Sequence, residues 1–152
     1  MEIKKVIQSQ YLAAMEMLKQ AIVACPESVW DDPVDNFRFW DIAYHTLFFV
    51  HLYLQDVEAD FVPWEKHQDE DAERTPYTKD EILVYVGNVQ EMVTQRVPAL
   101  DLEAESGFYW LPFNKLELQF YNIRHIQQHA GELYERLGNR IQAELHWVGK
   151  QP

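Results

Sequence analysis

The sequence predicts an all-α protein: a four-helix bundle with long crossover loops, spanning residues 1–152 as one domain. Three observations predict it. Four segments of about 19 to 24 residues each carry apolar side chains three and four positions apart, the period of a helix with one buried face. No segment alternates apolar and polar residues over strand length. The seven prolines and five glycines fall mostly between the periodic segments, where breaks belong. At 152 residues and 47% apolar content the chain is long and apolar enough to bury a core.

The first helix is expected over residues 2–24. Ile3, Val6, Ile7, Tyr11, Ala14, Leu18, Ala21 and Ile22 form one stripe, and Pro26 stops it. A connection over 26–37 is expected to pack Trp30 and Pro33 over one end. The second helix, residues 38–59, is aromatic-rich and apolar on more than one side, as a central helix is. On it Asp41, His45, Phe48 and Leu52 share a face, whereas His51 points elsewhere. Residues 60–78 break the period with Pro63, Pro76 and a charged run, and read as an irregular crossover. The third helix, 79–97, opens on a Thr78–Glu81 capping box and ends at Pro98. Residues 98–113 are irregular again. The last helix, 114–137, starts on Asn114 with Glu117 three residues later and ends before Gly138 and Asn139. Residues 140–152 are either a short helix or a tail packing Ile141, Leu145 and Trp147.

Charge and cysteine content narrow the function. A net charge of −12 repels a phosphate backbone, so no nucleic-acid partner is expected. No apolar run is long enough to cross a membrane, and the charged early residues do not make a signal peptide. The single cysteine, Cys25, has no intramolecular partner and reads as a small buried residue. A cytoplasmic location is the expectation from such low cysteine use.

The chemistry lies in the last helix. His125 and His129 are four residues apart, one turn above the other, on or beside the core-facing stripe. His45 lies on a face of another core helix. Three imidazoles suit zinc, nickel or iron and leave a coordination position for water or substrate. The zincin pattern is absent, because Ile126 and not Glu follows His125. The ferritin-like di-iron pattern is absent as well, because no Glu stands three residues before any of the six histidines. Asp41, one turn before His45, and Glu132, three residues after His129, are candidates to orient an imidazole or to move a proton. For Glu132 the competing role is a surface ion pair with Arg136. His51, His67 and His146 read as surface or loop residues. Of Trp40, Phe48, Trp110 and Tyr121, one or two are expected to line a pocket over the metal and the rest to be core.

Two stretches, Trp40-Asp-Ile-Ala-Tyr-His45 and Asn122-Ile-Arg-His125-Ile-Gln-Gln-His129-Ala-Gly-Glu132-Leu133, resemble the DinB/YfiT-like superfamily of small metalloproteins. The resemblance extends over nearly the whole chain. It implies a four-helix bundle, a metal triad at His45, His125 and His129, bound zinc, nickel or iron, and a homodimer. Some members of that superfamily act on low-molecular-weight thiols, so the resemblance implies a metal-dependent thiol S-transferase; a hydrolase using metal-bound water is the other enzymatic reading of the triad. The alternative is a non-catalytic metal- or ligand-binding bundle of structural or stress-related role.

Overall fold

The periodic segments become five α-helices in the computed structural model, which describes residues 2–69 and 71–151. They are α1 (Ile3–Ala24), α2 (Glu27–Trp30), α3 (Phe39–Tyr53), α4 (Lys79–Arg96) and α5 (Lys115–Ile141). The protein is all-α: among the described residues β-pairing is limited to an isolated bridge between Glu105 and Asn114. Of the four long helices, α1 and α3 each pack against both α4 and α5. Leu18, Ile22, Leu47, Val50, Ile82, Val89, Ile126 and Leu133 meet in the core they enclose. No helix among the described residues is long and apolar enough to cross a membrane.

The helix starts follow the local code. Thr78 Oγ1 accepts the Glu81 backbone N–H at 3.2 Å and Glu81 Oε2 accepts the Thr78 N–H at 2.9 Å, a complete capping box. Asn114 Oδ1 accepts the Glu117 N–H at 2.9 Å. Trp30 is buried as expected, on the single turn α2, and its indole donates to the Tyr77 carbonyl at 2.7 Å. Pro33, expected beside it, is exposed.

Two helix ends differ from the sequence expectation. α3 stops at Tyr53 rather than near residue 59. Beyond it, distant groups take the backbone: Lys115 Nζ donates to the Asp56 carbonyl at 2.6 Å, and the Glu58 N–H donates to the Gly107 carbonyl at 3.1 Å. Tertiary bonds there replace the next helical turn. α5 runs through Gly138 to Ile141, and the left-handed residue that ends it is Gln142, at φ 54°. Arg136 and Arg140, in its last turns, pair with Asp35, and Arg140 also pairs with Asp32. These ion pairs tie the end of α5 to the α2–α3 connection. The glycine inside is tolerated, at a cost of about 1 kcal/mol relative to alanine.

After Gln142 the described residues form a tail without helix. It runs back along α1: Ser9 Oγ and Gln10 Nε2 donate to the carbonyls of Gln151 and Gly149, at 2.5 and 3.0 Å. Leu145 and Val148 pack against the core, while Ile141 and Trp147 are exposed.

The crossover at 60–78 is bound to the helices by aromatic rings. Trp64 stacks on Tyr85 of α4 with centroids 4.6 Å apart, and Tyr77 meets Tyr44 of α3 at 4.8 Å. The Tyr77 hydroxyl accepts the Gln68 N–H at 3.1 Å and donates to the Lys66 carbonyl at 2.8 Å. An irregular backbone is thereby held in one place beside α3.

Candidate metal centre

One turn of α5 presents His125 and His129 side by side, and α3 brings His45 to them across the helix interface. His129 Nε2 lies 3.0 Å from His125 Nε2, which lies 3.3 Å from His45 Nε2. One ligand atom from each of the three falls within 4.8 Å of the others, so the group could hold a metal ion. Among the described residues that group has three members and no carboxylate or thiolate as a fourth.

The donor set fits a divalent cation. An imidazole Nε2 carries one proton or one lone pair, so His125 Nε2 cannot donate to both neighbours at once. Imidazole ligands bound at about 2.0–2.1 Å with tetrahedral angles stand about 3.3 Å apart, close to the separations found. Glu132 Oε2 lies 3.2 Å from His129 Nδ1. A proton held on Nδ1 by that carboxylate leaves a lone pair on Nε2, directed at the other two rings. Arg136 turns away from Glu132, to Asp35 at 3.5 Å and to the Phe37 carbonyl at 2.9 Å.

His125 is half-buried, and its Nδ1 is a buried atom without a hydrogen-bond partner among the described residues. Burial, then the charges on His129 and His45, pull its pKa down to about 4. It is therefore a neutral ligand across the ordinary pH range. His45 is exposed, not core-facing as its helix position had implied. Phe49 packs against both His45 and His125, with centroids 4.9 and 5.6 Å away. The triad thus sits at the rim of the helix interface and opens outward.

It opens onto a pocket of about 430 Å³, a size typical of small-molecule sites. His45, His129, Glu132, Phe48 and Ile42 are among its lining residues. Asp41 lines it too, with its carboxylate 2.8 Å from Arg74 Nη1 of the crossover. Phe48 is the pocket aromatic among the four named from sequence. Trp110 and Tyr121 are partly exposed elsewhere.

The remaining histidines separate. His146 is exposed in the tail. His51 is not a surface residue: it is half-buried on the far side of α3, its Nδ1 2.9 Å from the Tyr85 hydroxyl, and burial lowers its pKa. His67 is in the crossover, as expected, but it lines the pocket. It stacks on Phe48 at 5.3 Å, and its Nδ1 is hydrogen-bonded to the Tyr44 hydroxyl. Burial raises the Tyr44 pKa, so the phenol keeps its proton and donates to Nδ1. The same pocket wall contains Gln68 and Arg74. None of these three was named as a site residue from sequence, because an aperiodic segment gives no signal of where its side chains point.

Cys25 is buried as expected, and burial pushes its thiol up to about 12, which makes it inert. No family model, curated protein or solved structure matches this chain.

Proposed function

We propose that this chain is a divalent-metal-binding four-helix bundle of the DinB/YfiT-like kind and a metal-dependent enzyme, with His45, His125 and His129 as its ligands. The observation that carries the reading is the convergence of three Nε2 atoms at the edge of an open pocket. Zinc, nickel and iron suit the imidazole set, with zinc the best match to a three-histidine site that leaves one position open. A divalent metal bound there supplies a positive charge that favours the deprotonated form of a thiol or of water. The substrate side is then a low-molecular-weight thiol or a hydrolysable small molecule.

The chain's own residues hold that site in shape. Glu132 fixes the His129 tautomer through Nδ1. Phe49 keeps the His45 and His125 rings in place. Asp41 seats Arg74, and Tyr44 fixes the His67 ring in the pocket lining. The test is metal analysis of untagged protein, followed by a screen of thiols with electrophiles on the same sample. The expected result is close to one divalent ion per chain, with turnover removed by chelation and restored by metal. Protein without metal rejects the reading. Metal without turnover on any substrate pair leaves only the non-catalytic binding role.

A homodimer through α1 and α5 is part of the same proposal. Val6 and Val23 on α1, and Phe120 and Tyr121 on α5, are large apolar side chains left at least partly exposed, surface that a second copy would cover. Sedimentation is expected to give twice the 18.1 kDa chain mass. A single 18.1 kDa species at micromolar concentration rejects the dimer.

A further inference from the structure

The wall of the pocket formed by the crossover holds a cation with a buried N–H that no described residue accepts. The Arg74 guanidinium lies over the rings of Trp40 and Tyr44, 5.2 and 5.5 Å from their centroids. Its Nη1 forms an ion pair with Asp41 Oδ1, 2.8 Å away. Its Nε is buried and has no acceptor among the described residues. The side chain is 20% exposed, and it lines the pocket. A guanidinium has five N–H donors and does not lose its proton in a protein. Taking such a charge largely out of water and leaving a buried donor unmet is costly, so the arrangement is unlike an arginine placed for stability.

The backbone holds this cation in place. Directly after Arg74, the Thr75 N–H donates to Gln68 Oε1 and the Thr75 carbonyl accepts from Gln68 Nε2, both at 2.9 Å. That clasp closes the crossover on itself beside the pocket. The same pocket is lined by His45, His129 and Glu132 and by the apolar Ile42 and Phe48.

We propose that the pocket takes a small molecule with a carboxylate at one end, bound by Arg74, and a metal-ligating group at the other, bound at the histidine triad. The inference rests on the metal reading above and adds the substrate class. A planar fork of N–H donors matches a carboxylate, and aromatic shelves fix its plane. Asp41 already offsets part of the arginine charge, so a monoanion fits where a phosphate dianion is repelled. Glu132 sets the direction, because it disfavours a carboxylate at the triad end. The apolar lining accepts a hydrocarbon middle.

The test uses the full chain loaded with Co²⁺, whose thiolate complexes absorb in the near ultraviolet. Mercaptocarboxylates of increasing chain length, and their neutral amides, are titrated against it. In the wild type the best carboxylate is expected to bind about tenfold more tightly than its amide, or better, as for a charge-assisted hydrogen bond. In Arg74→Gln that preference disappears while Co²⁺ affinity is unchanged. In Asp41→Asn, which frees Nη1, the preference is kept or grows, the opposite of what general loosening of the pocket does. Equal binding of acid and amide at every length overturns the substrate class and leaves the metal site standing, as does a preference that survives in Arg74→Gln. Failure to take up Co²⁺ overturns the triad itself, and this inference with it.

Discussion

Alanine at His125 is expected to weaken metal binding by more than about a hundredfold, since loss of an outer-shell partner alone costs about 10–100-fold. His125 is the middle ligand, with its Nε2 3.0 Å from that of His129 and 3.3 Å from that of His45. Removing it leaves the His45 and His129 rings, with centroids 4.9 Å apart, as two imidazoles where a three-ligand site needs three. His45→Ala is expected to show a comparable loss, and Glu132→Ala a smaller one through the freed His129 ring. His51→Ala and His146→Ala keep wild-type affinity. Calorimetric titration of each variant measures this, and His45→Ala binding as tightly as wild type would sink the triad. Because His45 and His125 lie on different helices, metal at about 100 times its dissociation constant adds about 2.7 kcal/mol of stability to the wild type. The same ligand set makes the metal-free protein acid-sensitive. The pKa of His125 is about 4 in the fold and about 6.5 in an unfolded chain. Between those values the unfolded state binds the extra proton, so stability falls as pH drops from 6.5 towards 4. Thermal unfolding with a chelator present is expected to show that loss in the wild type and less of it in His125→Gln. Equal acid slopes in the two proteins would remove the burial argument for His125.

Gly107→Ala is expected to cost about 3 kcal/mol, the upper part of the range for forcing a side chain into a disfavoured backbone region. Gly107 has φ 88°, which favours glycine, and a Cβ there would stand 2.1 Å from the Asp56 carbonyl oxygen. That oxygen is the acceptor for Lys115 Nζ, and the Gly107 carbonyl accepts the Glu58 N–H at 3.1 Å. The position therefore joins the end of α3, the 98–113 segment and the first turn of α5, and no flexible side chain is there to yield. A melting temperature lower by about 6–12 °C is expected for a chain of this length. Gly87→Ala is the control: its Cβ would meet nothing within 4 Å and it lies inside α4. Alanine there leaves stability unchanged or raises it by about 1 kcal/mol. If Gly107→Ala melts within a degree or two of wild type, the backbone argument is wrong.

What the sequence determined by itself is the content of each helix. Apolar spacing set the all-α class and the core faces of α1 and α4, because side-chain direction within a helix depends only on local geometry. Thr78, Asn114 and Pro26 marked ends for the same reason, since caps and breaks act over three or four residues. The His125–His129 pair was legible because one turn of helix fixes it. The helix ends at Tyr53 and Ile141 were not, since Lys115, Gly107, Asp32 and Asp35 decide them from elsewhere in the chain. His45 joins its partners across 80 residues, and helical spacing cannot say which faces of two helices will meet. Least legible were His67 and Arg74. Their segment has no period, and what aims them at the pocket is the packing of Trp64 and Tyr77 on Tyr44 and Tyr85. Local geometry thus wrote the helices and one half of the site. Contacts between residues far apart in sequence wrote the other half, because only the folded chain brings those groups within hydrogen-bonding and van der Waals range.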